Sequence, residues 1–171
     1  MFKAVIFDIG GVLQIQDVNG PLAKDVSKTF DIPINIFESF RQEYEQKLLK
    51  GEWSEERYWQ KFIKETNSSR PIPNESILLR QYKKNFSIDK KVLQIIKKIG
   101  KEKIKLACLT DTQKPHTEFN KKMGLYESFE VCVFSHDTGM CKPNPKIYQL
   151  CLKKLGTLPE ETIYIDDRES N

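Results

Sequence analysis

Four short apolar runs occur along the chain, separated by longer stretches in which apolar residues recur at every third or fourth position. The runs are residues 3–7, 104–109, 131–134 and 162–165. Short, uninterrupted apolar runs are typical of strands that are buried on both faces. Because helical stretches separate these runs, the pattern predicts an α/β fold with a parallel sheet.

A polar and aromatic-rich block, residues 14–86, lies between the first two predicted strands. Its apolar residues recur at helical spacing in three stripes: Phe37, Phe40, Tyr44 and Leu48; Trp59, Phe62 and Ile63; and Leu78, Tyr82 and Phe86. Ser54 is placed to cap the second helix, and the proline-containing segment 70–73 breaks the chain before the third. The block predicts a small helical bundle inserted after the first strand, with Trp53, Trp59 and Phe62 in its core.

The remaining predicted helices flank the later strands and have clear chemical boundaries. Asp89 can cap a helix that ends at Gly100. Asn144, followed by a proline, can begin another helix that ends at Gly156. These helices belong with the strands rather than with the inserted bundle.

The chain thus divides into two predicted parts, a sheet unit of residues 1–13 and 87–171 and a helical cap of residues 14–86. Its 171 residues are 39% hydrophobic, which suffices for one sizeable core with a smaller appendage and excludes a disordered or fibrous chain. No apolar stretch is long enough to span a membrane, and the N-terminus lacks the layout of a signal peptide. We therefore expect a cytoplasmic protein without a membrane partner.

The formal net charge of +4 comes from lysines that are scattered as doublets rather than gathered in one run. Such doublets are typical of solvated helix faces, so we expect no nucleic-acid partner. The four cysteines, Cys108, Cys132, Cys141 and Cys151, match neither a zinc-binding spacing nor a disulfide framework. They are typical of small core residues in a reducing compartment.

Polar residues follow the carboxyl end of every predicted strand. They are Asp8 with Gly10 and Gly11, Thr110 with Asp111, Lys142 in the loop after the third strand, and Asp166 with Asp167. Any one of them alone is commonly a turn residue, a helix cap or a surface charge. Because parallel sheets place their ligands beyond the carboxyl ends of the strands, the four clusters together predict one shared site with Asp8 as its candidate nucleophile.

The chain resembles the haloacid dehalogenase-like hydrolase superfamily in four ordered motifs: FDIGGVL at 7–13, Thr110 with Asp111, GMCKPNPKIY at 139–148 and YIDDRESN at 164–171. The inserted block, which includes GEWSEERYW at 51–59, is similar to the helical cap of its phosphatase-like branch. That branch is similar to sugar-phosphate phosphatases and to the phosphatase domain of soluble epoxide hydrolases. The resemblance implies a Rossmann-like parallel sheet core with an inserted helical cap.

The resemblance also implies an activity, the Mg²⁺-dependent hydrolysis of small phosphate monoesters. Asp8 would attack phosphorus and form an aspartyl-phosphate, which divides a difficult displacement into two easier steps. The expected Mg²⁺ ligands are Asp8, the main-chain carbonyl of Gly10 and Asp167, with Asp166 beside them or bonded through water.

The remaining site residues are expected to bind the phosphoryl group. Thr110 would offer its hydroxyl to a phosphoryl oxygen, and Gly11 would let the backbone approach the substrate closely. Lys142 would supply positive charge that stabilises both the phosphoryl group and the crowded acids. Asp111 stands beside the phosphate, where the superfamily more often has asparagine or a small neutral residue.

Three features depart from the superfamily's pattern. Gly10 replaces a second aspartate that usually acts as general acid and base, and losing such a group typically costs about 10²- to 10⁴-fold in rate, which predicts a slow enzyme. The Asp111 carboxylate must point away from the phosphoryl group, or phosphate binding is weak. The chain ends four residues after Asp167, which indicates a core with a shortened C-terminal part whose exposed flank a second copy could cover.

Two other functions remain open at this stage. The first is a catalytically silent protein that keeps the fold and binds phosphate or another protein. The second is displacement of halide from 2-haloacids, which uses the same nucleophile without a metal; the pair Asp166 and Asp167 favours a cation and argues against it. His136, one of two histidines, is a minor candidate for proton transfer.

Overall fold

A four-stranded sheet forms the centre of the protein, for which a computed structural model describes residues 1–15 and 19–171. Its strands are β1 (Ala4–Phe7), β2 (Lys105–Thr110), β3 (Val131–Phe134) and β4 (Thr162–Ile165). They are parallel and lie in the order β3-β2-β1-β4, which confirms the predicted fold class. β2 begins and ends one residue later than predicted, because Thr110 still pairs with Phe134 of β3.

Eight α-helices occur in the described residues: α1 (Asn19–Phe30), α2 (Ile34–Leu49), α3 (Glu55–Thr66), α4 (Ile77–Lys84), α5 (Lys90–Ile99), α6 (Lys114–Lys122), α7 (Ser135–Thr138) and α8 (Pro145–Leu155). No stripe named from the sequence predicts α1, although Ala23, Val26 and Phe30 are buried at helical spacing. The prediction that Phe86 belongs to the third stripe's helix is wrong, since α4 ends at Lys84. Within the described chain, no helix is both long and apolar enough to cross a membrane.

The predicted helix caps are formed by side-chain hydrogen bonds. The Ser54 hydroxyl accepts from the Arg57 N–H, and the Asp89 carboxylate accepts from two N–H groups at the start of α5. Asn144 accepts from the second residue of α8 in the same way. α5 ends at Ile99 with Gly100 as its C-cap, which confirms the predicted helix end, and the chain continues through Gly100 in a short 3₁₀ turn.

Buried apolar side chains form three clusters that position the sheet and the inserted helices. One face of the sheet packs against Ile96 of α5, and the other packs against Ile147 of α8. The third cluster joins α1 to α4 around Trp59 and Phe62, which is the predicted core of the inserted bundle. The division into sheet unit and cap stays a prediction, and positions 16–18 of the predicted cap lie outside the described residues.

Tyr82 of α4 connects the inserted helices to the sheet unit. Its ring stacks on the His116 ring of α6, with centroids 3.9 Å apart and planes 12° from parallel. Its hydroxyl donates to the Gln14 side chain and accepts from the Asn120 amide. Tyr82, Gln14 and Asn120 are all buried, so their hydrogen bonds join polar groups in an apolar setting and fix α4 against α6. Within the described residues, Gln14 Nε2 and Asn120 Oδ1 have no hydrogen-bond partner.

We expect His116 to make stability fall below neutral pH. Burial lowers the pKa of His116 from 6.5 to about 4. Below pH 6.5, His116 therefore binds a proton in the unfolded chain but stays neutral in the folded chain. The free energy of unfolding should therefore drop by about 2 kcal/mol between pH 7.5 and 5 from this residue alone. Urea denaturation of wild type and of His116→Phe at both pH values measures this change in the free energy of unfolding. An equal decrease in the free energy of unfolding of both proteins would contradict the prediction.

Candidate active site

The carboxyl ends of the strands bring most of the predicted site residues to one rim of the sheet. Phe7 pairs with Cys108 and with Ile165, so Asp8 follows β1 beside the start of the segment after β4. The Asp8 N–H donates to the Ile165 carbonyl at 2.8 Å, which extends the ladder by one residue. Asp8 is consequently buried at a fixed position, with 6% of its surface exposed.

Lys142 lies between two of the acids. Its Nζ is 3.1 Å from Asp8 Oδ1 and 2.6 Å from Asp166 Oδ2, and only 2% of the Lys142 side chain is exposed. Burial raises the pKa of the Asp8 carboxyl, and the Lys142 charge opposes that rise only in part. The arrangement is a buried ion triad in which one lysine compensates two carboxylates.

Asp166 is held as the partner of this lysine by hydrogen bonds from several directions. The Tyr164 hydroxyl and Lys142 Nζ donate to Oδ2, the Arg168 N–H donates to Oδ1, and the Asn171 amide reaches both oxygens at 3.1 Å. Burial alone would raise the pKa of Asp166, but these donors outweigh burial and lower it to about 2. Asp166 is therefore ionised and firmly oriented at neutral pH.

Three carboxylates gather closely enough to hold one cation. Asp8, Asp166 and Asp167 each offer an oxygen, and these oxygens lie within 4.8 Å of one another. Asp8 Oδ1 is buried and forms an ion-pair contact with Lys142 Nζ at 3.1 Å, but it accepts no hydrogen bond of good geometry from the described residues. A buried carboxylate oxygen that lacks a hydrogen-bond donor and lies beside two further carboxylates fits a hard divalent cation such as Mg²⁺.

The two glycines after Asp8 differ in their surroundings. Gly11 has a φ of +77°, and a Cβ atom there would lie 2.3 Å from Asp167 Oδ2. A Cβ at Gly10 would meet no atom within 4 Å. Gly11 is thus required for the Asp167 carboxylate to approach the rim, whereas Gly10 leaves open space next to the candidate nucleophile.

Thr110 and Asp111 stand at the end of β2 in different environments. Thr110 is buried at the last position of the strand. Both Asp111 carboxylate oxygens accept from the main-chain N–H of Lys142 at 3.1 Å, and burial raises the pKa of this carboxyl. The Asp111 carboxylate therefore binds the backbone of Lys142, and its negative charge does not point towards the rim.

Sequence reasoning missed several residues that support the site. Tyr164 and Asn171 orient Asp166, and Ser135 joins the segment after β3 to the segment after β2 by accepting from the Thr112 N–H at 2.9 Å. Tyr164 and Asn171 lie close to Asp166 and Asp167 in the sequence, and this closeness was the one signal that could have identified them. His136 is engaged outside the predicted site, because its ring nitrogens lie 3.0 Å from Thr117 Oγ1 and Asp137 Oδ1.

The inserted helices reach the sheet unit beside the β2–α6 loop that follows Thr110. At Gly51, whose φ is +67°, a Cβ atom would lie 2.2 Å from the His136 carbonyl oxygen, so the α2–α3 loop touches the segment after β3. A crevice of about 620 Å³ opens there, lined by Trp53 from the cap and Gln113 from the β2–α6 loop. Trp53 also stacks on Tyr44, as expected of a residue that packs against the bundle core.

Fold and rim together bring a buried carboxylate, Asp8, and a group of three acids that fits a cation to the carboxyl ends of the strands. The family model for haloacid dehalogenase-like hydrolases matches residues 2–171, and the chain belongs to that family. This confirms the resemblance given by the four motifs.

Two curated relatives match the chain over different shares of its length. Mouse (Mus musculus) acyl-CoA dehydrogenase family member 10 is 30% identical over 187 aligned residues, which cover 99% of this chain and 16% of that protein. A phosphorylated carbohydrates phosphatase of Thermotoga maritima is 32% identical over 80 residues, covering 46% of this chain and 37% of the relative. The chain therefore spans well under half the length of these curated relatives.

Solved structures share the fold at low sequence identity. A haloacid dehalogenase family enzyme of Bacteroides thetaiotaomicron, in complex with magnesium and inorganic phosphate, superimposes with a TM-score of 0.81 at 22% identity. The match covers 99% of this chain and 86% of that one. At this sequence identity, the similarity establishes only the fold. The roles of individual residues have to be argued from the geometry of the residues at the rim of this sheet.

Proposed function

We propose that this protein hydrolyses small phosphate monoesters through an aspartyl-phosphate on Asp8. The observation that carries the proposal is the buried Asp8 carboxylate in contact with Lys142 and clustered with Asp166 and Asp167. The phosphatase relative of Thermotoga maritima and the magnesium and phosphate complex of the Bacteroides enzyme support it. The substrate class, by the same comparison, is phosphorylated carbohydrates and similar small esters.

The chemistry would proceed in two balanced steps at the rim. An Asp8 oxygen forms a bond to phosphorus while the bond from phosphorus to the ester oxygen breaks, and the ester oxygen leaves as an alcohol after taking a proton from bulk water. Water then attacks the aspartyl-phosphate and gives a proton to bulk water, while inorganic phosphate is released and the Asp8 carboxylate is restored. Lys142 and Thr110 stabilise the phosphoryl oxygens in both steps, by charge and by a hydroxyl hydrogen bond.

We propose Mg²⁺ as the cofactor, bound by Asp8, the main-chain carbonyl of Gly10 and Asp167, with Asp166 bonded through water. When bound, the cation neutralises charge between the phosphoryl oxygens and the nucleophile. The absence of a hydrogen-bond donor to Asp8 Oδ1 among the described residues and the close group of three carboxylates support this ligand set. Asp166, already held by Lys142 and Tyr164, is the acid least free to turn towards the ion.

Gly11→Ala is expected to weaken Mg²⁺ binding by about tenfold or more, because its Cβ would displace the Asp167 carboxylate. Gly139→Ala is the matched control: Gly139 has a φ of +70° but open space around its Cβ position, so it carries only the backbone strain, about 1–2 kcal/mol. Titration calorimetry with Mg²⁺ alone compares the two. Equal Mg²⁺ affinities in both variants would contradict the assignment of Asp167 as a ligand.

Slow turnover is part of the proposal, because Gly10 supplies no general acid or base. Gly10→Asp is expected to raise kcat by about 10²-fold, the lower end of the 10²- to 10⁴-fold range of such groups. The open space at Gly10 allows the new side chain to be accommodated next to Asp8. Phosphate release from a panel of phosphorylated carbohydrates, with Mg²⁺ and with a chelator, measures both wild type and variant.

Phosphate release from the same phosphorylated carbohydrates also distinguishes the phosphatase hypothesis from the hypothesis of a catalytically silent protein. Chelator-sensitive release by wild type supports the phosphatase. Zero release by wild type and by Gly10→Asp, together with retained Mg²⁺ binding, would overturn it and favour a phosphate-binding or interaction protein. Halide displacement from 2-haloacids is the third candidate, and the clustered carboxylates favour a cation-dependent reaction over it.

A further inference from the structure

The contact between Asp111 and Lys142 joins two segments that are 31 residues apart. Asp111 comes directly after β2, and Lys142 lies in the connection between α7 and α8. Both Asp111 oxygens are 3.1 Å from the Lys142 nitrogen. The lysine is therefore held at two points: its N–H by Asp111 and its Nζ by Asp8 and Asp166.

A carboxylate at this position requires an explanation, because the neighbouring Thr110 is placed to bind phosphate. A negative charge about 4 Å from a phosphoryl group costs on the order of several kcal/mol at an effective dielectric near 20. Accepting an N–H with both oxygens directs the Asp111 charge to the backbone. The Arg168 charge also favours the ionised form of Asp111, whereas the charge of Asp8 disfavours it.

The position of the Lys142 backbone determines where its ammonium group lies. The Nζ contacts of 2.6 Å and 3.1 Å tolerate little movement, and an error of about 1 Å in a catalytic group can cost about 10² in rate. A second link, from the Thr112 N–H to the Ser135 hydroxyl, joins the same two segments. Loss of the Asp111 contact should therefore loosen Lys142 locally without separating the segments.

We propose that Asp111 is a positioning residue, which holds the main chain of Lys142 so that the ammonium group reaches Asp8 and Asp166. The catalytic consequence rests on the proposed phosphatase function, whereas the contact itself does not. Asp111 acts through Lys142 and takes no part in proton transfer. An asparagine would keep the oxygen acceptor and lose the charge, and an alanine would lose both.

Comparison of Asp111→Asn with Asp111→Ala tests the proposal. Asp111→Asn should keep kcat within about threefold and lower the KM, because its carbonyl still accepts from Lys142 and no charge opposes the phosphate. Asp111→Ala should lower kcat by about tenfold or more. Asp137→Ala is the matched control, an exposed acid of the same segment, and should leave kcat unchanged.

Amide hydrogen exchange at Lys142 provides a measurement that does not depend on turnover. Exchange should be equally slow in wild type, Asp111→Asn and Asp137→Ala, and about tenfold or more faster in Asp111→Ala. Equal Lys142 exchange in the alanine and asparagine variants would overturn the proposal, as would equal kcat values. If wild type releases no phosphate, the proposed function fails, and the exchange measurement alone decides whether Asp111 positions Lys142.

Discussion

Asp8→Asn is expected to abolish phosphate release, with a loss of at least about 10³-fold in kcat/KM. An amide is a poor nucleophile and would also remove one of the three clustered carboxylates. Because burial raises the pKa of Asp8, the ionised carboxylate is less favourable in the folded chain than in the unfolded chain at neutral pH. The free energy of unfolding should therefore stay equal or rise in the variant.

Phosphate release and urea denaturation, measured on the same preparations, test both halves of this expectation. Retained turnover in Asp8→Asn would contradict the nucleophile assignment. A large decrease in the free energy of unfolding would contradict the inference that the buried Asp8 carboxylate destabilises the folded chain at neutral pH. Loss of turnover with unchanged or increased stability is the result that burial and the raised pKa of the Asp8 carboxyl predict.

Lys142→Met is expected to lower both activity and stability. The substitution leaves Asp8 and Asp166 buried without their shared cation, and breaking a buried ion pair in this way typically costs about 3–5 kcal/mol. Turnover should fall by at least about 10²-fold, because the phosphoryl group loses its charged partner. Urea denaturation and phosphate release measure the two effects.

Lys3→Met is the matched control for this prediction. Lys3 forms an ion pair of similar length with Glu161, but 63% of its side chain is exposed, so its loss should cost at most about 1 kcal/mol. A Lys142 variant no less stable than the Lys3 variant would contradict the role of Lys142 as the compensating charge of a buried triad.

The strands and most helix ends could be predicted because their signals are local. Apolar runs mark the strands, and Ser54, Asp89 and Asn144 cap helices with their own side chains. The helix end at Gly100 was predicted as well, but the 3₁₀ turn that follows α5 was not, because it depends on the close approach of Gly100 to Leu106 of β2. α1 lacked a named stripe, although its buried residues recur at helical spacing.

The location of the site could be predicted from the sequence, but most of the contacts between its residues could not. Strand ends of a parallel sheet meet at one rim, so Asp8 and Asp166 could be brought together from topology alone. The bond from Lys142 to Asp111 and the stacking of His116 on Tyr82 depend on tertiary packing across distant segments. Residue roles, the two-part division and the oligomeric state stay predictions.

A crystal structure with Mg²⁺ and beryllium fluoride would test the central claim most directly, because this reagent mimics the phosphoryl group of an aspartyl-phosphate. The account predicts beryllium fluoride density with beryllium bonded to an Asp8 oxygen, Mg²⁺ between that group and Asp167, and Lys142 Nζ in contact with a fluoride. Crystals that contain Mg²⁺ and saturating reagent but show no density at Asp8 would contradict it.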